Sequence, residues 1–114
     1  MNRLDETIRV AMDTDDVSRL MVLSWLLAST PSDEPRKLDR AIELSHRACE
    51  LTAYKDVKAV DTLAAVYAIA GDYDSAVKWS EQSIRLLDDE SDPQVRERML
   101  KALTNYRAKS PLSP

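Results

Sequence analysis

The apolar positions of this chain recur at spacings of three and four residues, the period of a helix and not of a strand. Leu4, Ile8 and Met12 fall every fourth residue and predict a short helix within residues 1–14. Asp15 or Asp16 offers a cap for a second helix running to about residue 29, which Thr30-Pro31-Ser32-Asp33 breaks. Asp33-Glu34-Pro35 reads as the next start signal, because proline tolerates a first helical turn, and that helix runs to about Leu51 or Thr52. Asp56 begins a fourth, with Val60, Leu63, Ala64 and Tyr67 on one stripe. Gly71-Asp72 ends it and caps a fifth, which carries Ala76, Val77, Ser80, Ile84 and Leu87. Ser91-Asp92-Pro93-Gln94 is a start signal in the form of a capping box, and the helix after it carries Val95, Met99, Ala102, Leu103 and Tyr106. About six helices are expected over residues 1–110, with residues 111–114 as a tail.

The helix predicted from residue 16 is unlike the rest. Leu20, Met21, Val22, Leu23, Trp25, Leu26 and Leu27 leave it almost no polar side. A helix that is apolar all round needs cover on several sides. The segment before it and the two helices after it supply some of that cover. Any side left over is a binding or assembly surface.

Composition narrows the fold class further. The chain has 114 residues, 44% of them hydrophobic, which is one domain with enough apolar material for a core. It has one glycine, Gly71, and so can supply few backbone positions with φ > 0. Hairpin-rich barrels, β-sandwiches, dinucleotide folds and phosphate loops all need more, so an all-α domain remains.

An internal repeat organises these helices. Leu38–Leu51 aligns with Tyr73–Leu86 at an offset of 35 residues, matching Ala41 to Ala76, Ser45 to Ser80, Ala48 to Ser83 and Cys49 to Ile84. Paired helices at a period near 34 mean an α-solenoid. The stretch 57–90 resembles a tetratricopeptide repeat (TPR), with Val60, Leu63, Ala64, Tyr67, Gly71, Tyr73 and Ala76 at the family's positions. Trp79-Ser80 and Ser83 only approximate the later positions, and Asp88 stands near the place of the family's helix-ending proline. Residues 17–53 are similar to a second, divergent copy through Leu20, Leu23, Ser24, Leu27, Ala41 and Ala48, with a longer connection at Thr30–Lys37. The resemblance implies antiparallel helix pairs stacked as a short right-handed α-solenoid, closed by a polar capping helix at 92–108. On the same reading the segment 1–14 is the second half of a repeat whose first half belongs to a longer parent chain.

In that family the first helices of successive repeats line a concave groove that holds a peptide or a partner helix. Carried over by position, the groove contains Ser18, Met21 and Trp25, then Lys58, Asp61, Ala65 and Ala68, then Arg96 and Leu100. Met21, Trp25, Lys58, Asp61, Ala65 and Arg96 are the expected partner-binding residues. Trp and Arg are frequent at binding hot spots. The family's carboxylate-clamping set of lysine, arginine and asparagine is missing here, which disfavours recognition of a C-terminal tail. The expected function is a non-catalytic protein-interaction module. The alternative is an assembly segment, which pairs with a second copy or docks onto the rest of a parent chain.

Charge and chemistry remove other classes. Lys and Arg number 16 against 20 Asp and Glu, a net charge of −4, without the basic patch that nucleic acid requires. Residues 1–35 carry three basic and seven acidic side chains, so the acidic excess lies there, around Asp13, Asp15 and Asp16, and reads as a solvated loop. The apolar run at 17–28 is too short to span a bilayer, and a soluble, cytoplasmic protein is expected. The chain's one histidine, His46, and one cysteine, Cys49, lie three apart, but two ligands do not make a zinc site, and both are expected to be structural. No catalytic residue, metal or cofactor is expected.

Overall fold

The computed structural model describes Glu6, Arg9, Val10, Asp13, residues 15–31 and residues 37–110. Five helices lie among the described residues, with no strand: α1 (Val17–Ser29), α2 (Lys37–Leu51), α3 (Val57–Ile69), α4 (Tyr73–Arg85) and α5 (Pro93–Lys109). The expected stripe of Leu4, Ile8 and Met12, the start signal Asp33-Glu34-Pro35 and the tail 111–114 lie outside the described residues.

Aspartate starts four of the helices. Asp16, Asp56, Asp72 and Asp92 each accept a hydrogen bond from a backbone N–H of the first turn, at Arg19, Ala59, Ser75 and Gln94 respectively. Each carboxylate satisfies a donor that the helix cannot satisfy itself, and each sits at the positive end of the helix dipole. The expected capping box at the start of α5 does not form. Asp92 is the cap there, and the Ser91 hydroxyl turns back to Asp88, accepting from its N–H at 3.0 Å. Leu87 falls beyond the end of α4, whose C-cap is Leu86.

Two helix ends have the same hydrogen-bond pattern but different residues. At the end of α3, Asp72 N donates to Tyr67 O at 3.0 Å and Gly71 N to Ala68 O at 3.0 Å. At the end of α2, Tyr54 N donates to Cys49 O at 2.7 Å and Ala53 N to Glu50 O at 3.1 Å. Both are the 6→1 and 5→2 bonds of a Schellman motif, which needs a left-handed residue just past the helix. Gly71 supplies it with φ 85° at the end of α3. At the end of α2, Ala53 (φ 55°) and Tyr54 (φ 57°) take that conformation with side chains attached. Each such residue costs about 1 kcal/mol.

Each helix packs on the next in chain order, and α1 packs on α3 as well. Ala41, Ala48, Ala59, Ala64 and Ala76 are buried at 0–1% exposure, and Leu20, Leu44, Val60, Leu63 and Val66 fill the spaces between them. Small side chains let helix axes approach while the large ones interdigitate. Three of the buried serines, Ser24, Ser45 and Ser83, have hydrogen-bond partners for their hydroxyls. Ser24 Oγ on α1 donates to the Ala41 carbonyl of α2 at 2.7 Å, joining the first helical pair across its interface. Ser83 Oγ donates to Ser80 O at 2.8 Å.

The two Schellman ends yield opposite expectations. Gly71→Ala puts a Cβ into open space, so only backbone strain acts, and stability falls by about 1 kcal/mol. Ala53→Gly removes strain and raises stability by up to about 1 kcal/mol. Urea denaturation of the two variants beside the parent chain checks the pair of signs.

Candidate functional site

The expected groove residues divide into those that α1, α3 and α5 bring forward and those they take away. On α1, Met21 is half-buried and packs against the core, whereas Trp25 is 47% exposed. Val22 (58%) and Leu26 (54%) are exposed beside it. At 100° per residue these three side chains span about 100° of helix surface, an apolar stripe flanked by exposed Ser18 and Ser29. The buried side of the same helix is Leu20, Ser24, Leu27 and Ala28.

On α3, Lys58 is exposed and Asp61, Ala65 and Ala68 are half-buried. Asp61 does not stand free beside Arg96. Its carboxylate pairs with Arg98 of α5 at 3.6 Å, while the Arg96 guanidinium donates to the Asp88 carbonyl at 3.0 Å. Arg96 and Leu100 share one side of α5, about 160° around the helix from Arg98. Leu100 lies instead in a shallow open depression with Glu97, Lys101, Thr104 and Asn105. The two expected residues of α5 therefore lie on the side of that helix away from the Asp61 contact. Arg98 is the one that faces Asp61. Arg107 likewise binds Glu81 of α4 at 3.3 Å.

Burial raises the pKa of Asp61 above the ordinary carboxylate value, and Arg98 pulls the other way without winning. Tyr106 is close enough to feel that carboxylate, and burial pushes its phenol up as well. The geometry is a partly desolvated carboxylate with one exposed cationic partner.

A second cluster was not singled out by sequence reasoning. His46 of α2 puts Nδ1 3.0 Å from the Tyr54 hydroxyl and Nε2 2.8 Å from the Tyr67 hydroxyl of α3. Trp79 of α4 meets the imidazole edge-on at 5.7 Å and stacks on Tyr54 at 5.2 Å. Lys78 Nζ sits 4.7 Å over the Trp79 ring. The histidine is a hydrogen-bonded bridge between the Tyr54 and Tyr67 hydroxyls. The only available signal was the composition of polar aromatics, spread over 33 residues from His46 to Trp79.

Cys49 is fully buried, and burial together with nearby Asp56 and Glu50 pushes its thiol up to about 12. It is no nucleophile in the folded chain, since the thiolate is the reactive form. His46 and Cys49 do not share a ligand position, because both imidazole nitrogens are engaged by tyrosines. Among the described residues no group of three or more His, Cys, Asp or Glu side chains converges on a point, and no helix is long and apolar enough to cross a membrane.

Two measurements check these environments. A carboxylate whose folded pKa is raised favours folding while protonated and opposes it once ionised. Asp61→Asn therefore raises stability at pH 7, and the gain disappears as the pH falls to about the ordinary value of 3.8. An equal or lower stability at pH 7 would mean that the Arg98 pair outweighs burial. The Cys49 thiol is expected to resist a thiol reagent at pH 8 in the native chain and to react at once in denaturant.

Neither a protein-family model, nor a curated protein, nor a solved structure matches this chain.

Proposed function

We propose that this chain is a non-catalytic protein-interaction module, a short TPR-like right-handed solenoid that holds a partner's helix or peptide against α1 and α3. The observation that carries this reading is the exposed apolar stripe of Val22, Trp25 and Leu26 on α1. Isolated apolar side chains on a surface are ordinary, but an apolar row along one helix is the form a helix-in-groove contact takes. The spacing of Val22, Trp25 and Leu26 at i, i+3 and i+4 suits an amphipathic helix laid alongside. Lys58 and the half-buried Asp61 provide polar anchoring next to it on α3, and Trp25 is the side chain best suited to be the hot spot. The 35-residue repeat and the all-helical architecture support the same reading.

The alternative is an assembly segment, in which the same stripe meets a second copy or the remainder of a parent protein. Val22 and Leu26 favour it, because they extend the stripe around α1 away from Trp25.

Met21→Glu is a poor probe of either reading, since Met21 packs against the core. Leu26→Glu alters the stripe alone and is expected to leave helicity and stability within about 0.5 kcal/mol of the parent. A photo-reactive amino acid at position 25 in cells tests the proposal directly. The interaction reading expects an adduct with a different polypeptide, lost in the Leu26→Glu background and absent when the probe is at Arg85. Adducts of twice the chain mass, with a dimer in light scattering that Leu26→Glu dissolves, establish the assembly reading instead. No adduct at position 25 and a monomer in solution sink both.

A further inference from the structure

The joint between α2 and α3 holds more strain than its counterpart between α3 and α4, and more side chains are gathered on it. Ala53 and Tyr54 are consecutive left-handed residues with φ of 55° and 57°, in a motif that α3 completes with glycine. The Tyr54 backbone N–H donates to Cys49 O at 2.7 Å, and Thr52 Oγ1 reaches the Ala48 and Cys49 carbonyls at 3.2 and 3.1 Å. The Tyr54 ring is held from three helices: His46 of α2 bonds its hydroxyl, Trp79 of α4 stacks on its face, and Tyr67 of α3 fixes the other side of the His46 ring. A bulky residue persists in this conformation only where its surroundings over-determine it.

We propose that His46 is a proton-responsive latch on this joint: the neutral imidazole, bridging Tyr54 and Tyr67, holds the strained turn closed, and a second proton on the ring loosens it. A neutral imidazole donates through one nitrogen and accepts through the other. One tyrosine O–H therefore donates a hydrogen bond to the ring, and the other hydroxyl accepts one from the ring N–H. The imidazolium has two donors and no acceptor. The tyrosine that was donating must turn its O–H away, and its proton needs a new acceptor in a half-buried cluster.

The charged and titratable groups around the ring set the sign. From α2 itself Glu50 favours the imidazolium, and from α4 Lys78 opposes it. The phenols facing it, Tyr54 from the turn and Tyr67 from α3, are both raised by burial above their ordinary 10, so neither ionises near neutrality. Burial is the largest influence on His46 and holds its pKa below the ordinary 6.5. A group depressed in this way favours the fold fully above pH 6.5 and loses that contribution as the pH falls through its folded value. Within this cluster only His46 changes charge near neutral pH. Because the turn joins α2 to α3, its release changes how the α1–α2 pair is held against α3–α4. It does so without altering the α3–α4 turn at Gly71.

Amide hydrogen exchange by NMR tests the latch on the full chain. Rates are corrected for intrinsic pH dependence, and the His46 ring titration is followed through its carbon-bound protons. Protection at Ala53 and Tyr54 is expected to fall about tenfold between pH 7.5 and 5, with the midpoint of the ring titration and below 6.5, while Gly71 and Asp72 stay unchanged. In His46→Phe the protection of the same turn is expected to be low and flat with pH. Tyr54→Phe and Tyr67→Phe keep the rings, delete one hydroxyl each and serve equally if the histidine variant does not fold. Ala53→Gly relieves strain at the turn and is expected to shrink the fall to about threefold or less. A ring that titrates while Ala53 and Tyr54 keep constant protection overturns the proposal. So does a loss shared equally by Gly71 and Asp72, which reports general acid destabilisation.

Discussion

Reversing a chain between two packed helices requires at least one residue in the left-handed region when the preceding helix closes its carbonyls by a Schellman motif. This chain must make such reversals with a single glycine. Gly71 is placed between α3 and α4, where nothing lies within 4 Å of a Cβ. The turn between α2 and α3 takes the same hydrogen bonds with Ala53 and Tyr54, and there the aromatic cluster is built. The positions of His46, Tyr67 and Trp79 follow from that constraint. They are the side chains of the three neighbouring helices that can reach a tyrosine ring held at the mouth of the joint. Strain and cluster are two parts of one local solution, which ties α2, α3 and α4 together.

Packing away from the joint relies on small residues and on satisfied serines. Ala41, Ala48, Ala59, Ala64 and Ala76 permit close approach, and Ser24 spends its hydroxyl on a backbone carbonyl of the facing helix. A buried hydroxyl so bonded is close to neutral for stability, whereas an unbonded one costs about 1–3 kcal/mol. Ser80 Oγ is the contrast, buried with no hydrogen-bond partner. Trp79, one place earlier, is committed to Tyr54 and His46.

The helices were legible in the sequence because their boundaries are local. Asp16, Asp56, Asp72 and Asp92 announce starts within one turn, and Gly71 announces a stop. The left-handed turn at Ala53 was not legible, since alanine carries no preference for that conformation and the compensation comes from residues up to 26 positions away at Trp79. Of the residues expected to line a groove, Trp25 and Lys58 are exposed and Met21 is half-buried against the core. On α5, Arg96 and Arg98 are chemically alike and two places apart. Only the direction of the helix face decides between them, and the 160° between these residues sends Arg98, not Arg96, to Asp61.

The two ends of the helical stack are not equivalent. The outer side of α5 presents Glu97, Lys101, Thr104 and Asn105 around a single exposed leucine, and its charges are partly tied back, Lys101 to Glu97 at 3.3 Å and Arg107 to Glu81. Water can cover such a face at little cost. The outer side of α1 presents Val22, Trp25 and Leu26 beside exposed Ser18, Arg19 and Ser29. Each fully exposed side chain of this size forgoes about 1.5–3 kcal/mol of burial. An end with a polar cover needs nothing further, whereas an apolar end gains from each helix laid on it. Among the described residues, the exposed apolar surface is therefore concentrated on α1 and not on α5.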